Sequence, residues 1–179
     1  MNIVDAQADA RRVYANGAPG VAISGLVWII TGLVALSFDV QTAMITLFVG
    51  GMAINPLSDL ASKLLLKRGK PDAGNQLIWL GLLTVPMILT GMFAGYLLSD
   101  SNQVWFFALT LMAVGARYLT FKTLYGLRHY VMLGLALLAL GFSAIWLGWA
   151  SSAVLALAGG AVEVCAAIFI FAAKPSPTA

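Results

Sequence analysis

The chain has 179 residues, of which 61% are hydrophobic and only 9% charged, far below the roughly 25% charge of soluble globular domains. That composition excludes a soluble fold and leaves room for six membrane spans of ~20 residues each, with no separate soluble domain. The net charge of +3 falls at helix ends rather than in a patch, so no nucleic-acid partner is expected.

Residues 3–16 read as a short amphipathic helix. Ile3, Ala6, Ala10 and Val13 recur at helical spacing, opposite Asp5, Asp9, Arg12 and Asn16. With 1–18 as its unit, it is expected to lie on the bilayer interface. Gly17 should close it and Pro19 should break the chain before the membrane. No basic region precedes an apolar core at the start of the chain, so the first span is expected to serve as the insertion signal.

Residues 19–174 then form the transmembrane unit. The first span, about 20–37, carries a small and polar stripe of Ser24, Gly25, Trp28, Thr31, Gly32 and Ala35, the usual mark of helix packing. A short turn leads to a second span of about 41–60, in which Gly51, Asn55, Asp59 and Ser62 fall on one side. Pro56 frees a backbone carbonyl near Met52 and should bend that helix. Span three, about 75–98, holds Pro86 in mid-membrane and a Gly91-x-x-x-Gly95 spacing suited to close packing.

Span four, about 104–124, contains Arg117 inside the apolar run, with Tyr118, Lys122 and Tyr125 after it. Span five, about 130–147, has Gly134, Gly141 and Gly148 at steps of seven, an edge that could join two copies in a homodimer. The last span, 151–173, carries a single carboxylate, Glu163, near its middle. Residues 175–179 should be a disordered tail. The two sets of three spans would be inverted relative to one another, the geometry of some transporter repeats, although the halves share no convincing sequence match.

Orientation follows from the basic residues. With the N-terminus in the cytoplasm, all ten fall on or nearer that side, and the three opposite loops have none. The expected location is a bacterial inner membrane, multi-pass, with both termini cytoplasmic.

Catalytic signatures such as HExxH, a Walker loop or GxSxG are absent. One histidine and one cysteine cannot build a His- or Cys-rich metal site in a single subunit, so neither metal nor cofactor is expected. Cys165 reads as helix packing and His129 as a solvated interface residue. What remains is a constellation: Glu163 near the midplane, Arg117 a third of the way in from the cytoplasm, and Asn55, Asp59, Tyr118 and Tyr125 nearer that surface. Ionisable groups at such depth are costly and often functional. The depth gap between Glu163 and Arg117 is about 7 Å, which a long arginine can cover, so an ion pair is feasible. Gly159 and Ala167 flank Glu163 at i−4 and i+4 and turn it toward the protein interior.

Leu57-Ser58 with Ser62-Lys63, the Gly115-Ala116-Arg117 stretch followed by Tyr125, and the Glu163 helix together resemble a family of small bacterial six-helix membrane proteins catalogued only as a domain of unknown function. The resemblance runs from span one to span six and implies no activity.

The residues point to an all-α membrane protein, a six-helix bundle with an amphipathic interfacial helix in front. The function expected first is a small transporter or channel-like protein, passing a small solute or protons through a cytoplasm-facing pocket. A scaffold or accessory subunit of a membrane complex is the alternative. A lipid-directed enzyme using Asp59, His129 and Tyr125 comes third. A cavity reaching Glu163 would favour transport, and a sealed Glu163 would favour the scaffold.

Overall fold

The computed structural model describes residues 1–67 and 69–173; the expected tail at 175–179 lies outside them. Among the described residues the chain is helical without a strand, and six helical stretches are long and apolar enough to cross a membrane. This is a multi-pass, all-α membrane bundle. The helices are α1 (Ile3–Tyr14), α2 (Ala18–Ser37), α3 (Val40–Leu60), α4 (Leu80–Leu83), α5 (Val85–Leu98), α6 (Val104–Tyr125), α7 (His129–Leu147) and α8 (Ser152–Ala172).

Local chemistry sets most of the boundaries. Asn2, Asp39 and Ser151 cap α1, α3 and α8, each side chain accepting from a backbone N–H three residues on. Two hydrogen bonds from Thr42 hold the Asp39 carboxyl below its ordinary pKa. Gly126 and Gly148 stop α6 and α7 in the left-handed region, at φ +68° and +59°, as C-terminal glycines do.

Two boundaries depart from the sequence reading. The first helix ends at Tyr14, and Ala15, Asn16 and Gly17 all take positive φ, so the corner is turned by three residues. Pro19 lies in the first turn of α2, a position that needs no N–H, so it starts the helix instead of breaking the chain. The third span is interrupted: Gln76–Trp79 is a 3₁₀ turn, α4 follows, and the chain leaves helical hydrogen bonding at Thr84 before α5. Pro86 explains the interruption, since it has no N–H for the Leu82 carbonyl and its ring crowds that turn. Pro56 lies inside α3, whose helix runs on through it and then widens into a π-type turn at Ala61–Leu65.

The spans form two groups of three. One is α3, α2 and α8; the other is α5, α6 and α7; α8 joins them by resting on α7 and α6. The inverted halves one-to-three and four-to-six are therefore not the packing units. Close backbone approach holds each group. A Cβ on Gly25 would lie 2.9 Å from the Gly160 carbonyl oxygen, and one on Gly160 only 2.6 Å from that of Gly25. Only a residue without a side chain permits this contact, and it places the Ser24–Gly32 stripe of α2 against α8. Gly91 and Gly95 of α5 meet Leu109, Ala113 and Phe106 of α6 in the same way.

The glycine edge of span five is used inside the chain as well. Gly134 packs on the Gly115 carbonyl, Gly141 on that of Ala108, and Gly148 is a helix cap in open space. Its two buried glycines are thus occupied within the chain. Cys165, expected in a packing position, is exposed on the outer surface of α8. The apolar face of α1, Ala6, Ala10 and Val13, is buried against the bundle. Gln7 and Arg11 donate to the Thr123 and Tyr125 carbonyls at the end of α6, and Asn75 donates to the Ala6 carbonyl.

The glycine contacts yield a stability contrast. Gly160→Val should push α2 from α8 and cost about 1–3 kcal/mol, whereas Gly51→Ala, where an added Cβ meets nothing within 4 Å, should stay within about 0.5 kcal/mol. Thermal unfolding of the purified protein in detergent checks this; equal melting points would refute the packing described.

Candidate functional site

Where the two groups diverge they enclose a cavity of about 660 Å³, bounded by α2, α3, α4, α5 and α6. It is a groove more than a sealed void. Met52 and Phe48 of α3, and Leu82 and Leu89 across from them, line it and are still 69%, 48%, 56% and 48% exposed. Spans two and three are not packed together as the other neighbouring spans are, and the gap between them opens sideways.

The lining changes character along its length. At the end that carries the termini it presents Tyr14, Asn55, Ser58, Asp59 and Tyr125; at the far end, Trp28, Leu47, Phe48, Ile88 and Met92. Gly51, Asn55 and Asp59, expected on one side of span two, all line it, while Ser62, the fourth member of that row, is buried below them.

Arg117 stands at the boundary between the two halves. One terminal nitrogen donates to the Gly81 carbonyl at 2.6 Å, in the turn before the Thr84–Pro86 interruption. The guanidinium lies 5.1 Å from the centre of the Phe121 ring, a cation–π distance. Its Nε is buried with no acceptor among the described residues. Among the described residues Arg117 and Asp59 are the charged ones of the lining, and Asp59 is exposed and paired with Lys63 at 3.9 Å. The aromatic wall below comprises Tyr118, Phe121, Tyr125 and Tyr130, with ring centres 5.3–6.0 Å apart. The Tyr130 hydroxyl donates to the Asn16 carbonyl at 2.7 Å, and Asn16 donates to the Ile170 and Ala173 carbonyls. These bonds fix the corner before α2 to the end of α8.

Glu163 lies behind the cavity rather than in it. Its side chain is 0% exposed, it is not part of the lining, and both carboxyl oxygens lack a hydrogen-bond partner among the described residues. The feasible ion pair with Arg117 does not form; the described ion pairs are Arg12–Asp9 and Lys63–Asp59. The physical reason is direction, since Arg117 is drawn toward α4 by the Gly81 carbonyl while Glu163 faces α2 and α6. Ser24 and Tyr118 are the polar side chains that bear on the carboxyl, without completing a hydrogen bond to it. Both also line the cavity. One layer of side chains thus separates the acid from the cavity.

The sequence-derived residues are therefore partly assembled. Arg117, Asn55, Asp59, Tyr118 and Tyr125 share one cavity, and Glu163 touches it through Tyr118 and Ser24. Ser24 was legible only as a packing residue and Ser58 only as part of the family resemblance, and Tyr14 and Thr110 were not singled out as site residues; helical spacing from Gly51, Asn55 and Asp59 could have placed Ser58 in the site. His129 does not line the cavity, so the acid–base grouping with Asp59 and Tyr125 is not gathered there. Among the described residues no cluster of ligating side chains could hold a metal ion.

A second cavity of about 560 Å³ lies at the opposite end between the same two spans, lined by Gln41, Met44, Tyr96 and the 99–103 turn. Met44, Leu47 and Met92, all buried, form the apolar layer between the two.

The model of a family of unknown function (DUF7010) matches residues 3–173, and the chain belongs to that family. No curated protein and no solved structure matches the chain.

Because Arg117 and Glu163 form no ion pair but lie within electrostatic range of one another and share Tyr118 as a neighbour, Arg117→Met and Glu163→Gln should couple only weakly, by about 0.5–1 kcal/mol. A double-mutant cycle in detergent unfolding measures it; a coupling of several times that size would restore the ion pair.

Proposed function

We propose that this member of the family is a small membrane transporter, handling a small solute or protons through the cavity between its two helix groups. The carrying observation is the cavity itself: about 660 Å³, within the range of ligand sites, with a half-buried, incompletely partnered arginine at mid-length and most of the polar lining toward one end. The apolar layer of Met44, Leu47 and Met92 supports the reading as a closed barrier on the other side. Two groups of helices hinged along α8 could exchange that barrier from one end to the other, as in alternating access.

In this reading the polar end faces the cytoplasm of a bacterial inner membrane, with both termini inside, because the basic residues collect there. Glu163 acts as the proton-exchanging group, one side chain from the cavity, with Ser24 and Tyr118 as the connection. A scaffold function is the second reading, favoured by one observation, the complete burial of Glu163.

Two experiments test these statements. In intact cells, single cysteines introduced at Ser99–Gln103 should react with an impermeant thiol reagent added outside, and one at Gly69 should not; the reverse pattern overturns the orientation. In vesicles containing a pH-sensitive dye, the purified protein should dissipate a proton gradient, and Glu163→Gln should fold normally yet leave the gradient as stable as in empty vesicles. Unchanged flux in a folded Glu163→Gln protein would favour the scaffold.

A further inference from the structure

We infer that the solute is an amphiphilic anion with one apolar chain of medium length, its head at Arg117 and its chain in the far half of the groove. This deepens the transporter reading and rests on it. The charge argument comes first. Among the described residues Arg117 is the one cation of the lining, its Nη1 makes no hydrogen bond, and no carboxylate pairs with it. A carboxylate head would accept from Nη1, the terminal nitrogen that no hydrogen bond occupies, in a charge-assisted bond of the geometry a guanidinium prefers. Asp59, the other charge, sits at the polar mouth paired with Lys63 and does not compete.

Shape supplies the rest. Lining residues on α6 run from Thr110 to Tyr125, about 22 Å of helix at 1.5 Å per residue. Spread over that length, 660 Å³ gives a section of about 30 Å², room for one hydrocarbon chain within the groove. Above Arg117 the walls are Val114, Val85, Ile88, Leu47 and Met92, over about 10 Å between Arg117 and Thr110. A chain of medium length fills that stretch and ends at the Met44–Leu47–Met92 layer. The gap between spans two and three opens this half sideways, so such a molecule can enter from the bilayer while its head travels along the polar half. A hydrophilic solute would gain nothing from these walls.

The test uses a single cysteine at Val85, a lining position in the far half, in a Cys165→Ala background reconstituted in vesicles. A hydrophilic thiol reagent should modify it. Decanoate should slow that reaction at least about tenfold, equivalent to about 1.4 kcal/mol of occupancy, and methyl decanoate, which lacks the charge, should not. Arg117→Gln should abolish the protection. So should Gly51→Phe, which places a ring in the groove where an added Cβ meets nothing within 4 Å, and this variant serves if Arg117→Gln does not fold. Equal protection by acid and ester would overturn the role of Arg117. Modification unaffected by decanoate would overturn the solute class while leaving the cavity standing. A cysteine at Val85 that no hydrophilic reagent reaches would overturn the cavity reading and this inference together.

Discussion

The contact on which the molecule depends is the approach of α2 to α8 at Gly25 and Gly160. With no Cβ on either residue, each backbone carbonyl lies within 3 Å of where the other's side chain would begin. In a membrane the apolar side chains gain little by leaving lipid, so such close backbone packing is what holds helices together. It fixes α8 as the member of the first group that reaches the second, through α7 and α6. It also dictates that Glu163, three residues beyond Gly160, faces α2 and α6 in a space too tight for water-filled surroundings.

From that seam the two groups diverge. The tight pairs are α2 with α8, α6 with α7, α5 with α6 and α2 with α3, while α3 and α5 stand apart. Spans two and three are accordingly the least buried of the six. Unsatisfied buried polar atoms occur at Thr31, Ser62 and His129, and two further such groups lie about the cavity. Arg117 lines the cavity with its Nε buried in the wall, and the Glu163 oxygens lie behind that wall. A buried polar atom left unpaired costs roughly 1–3 kcal/mol, so two such groups on either side of Tyr118 mark this region as shaped for something beyond stability.

The fold was largely legible in the sequence because its two signals are strong. Apolar runs of spanning length are hard to mistake, and the stripe from Ser24 to Gly32 together with the Gly91–Gly95 spacing identified surfaces that do pack closely. The site was legible as a set of residues but not as a geometry. Helical periodicity gives the face on which a residue lies, not the neighbour that face meets. Gly134 and Gly141 formed a genuine close-packing edge, yet the partner proved to be span four of the same chain. Depth alone made Arg117 and Glu163 a feasible pair, and the Pro86 interruption, which brings the Gly81 carbonyl within 2.6 Å of the guanidinium, redirected the arginine. Cys165 faces outward, because nothing in a uniformly apolar helix distinguishes a lipid-facing cysteine from a packed one.

The central claim is that the bundle is closed at the α2–α8 seam and open between spans two and three. Pulsed electron paramagnetic resonance in lipid bilayers measures this directly, with one spin-label pair at Met52 and Leu82 across the opening and another at Ile30 and Ile168 across the seam. All four side chains are more than half exposed and should accept a label without disturbing the packing. A single narrow distance at the seam, with a broad or two-peaked distribution across the opening, is the predicted result. Equally narrow distributions for both pairs would describe a rigid closed bundle and would contradict the account.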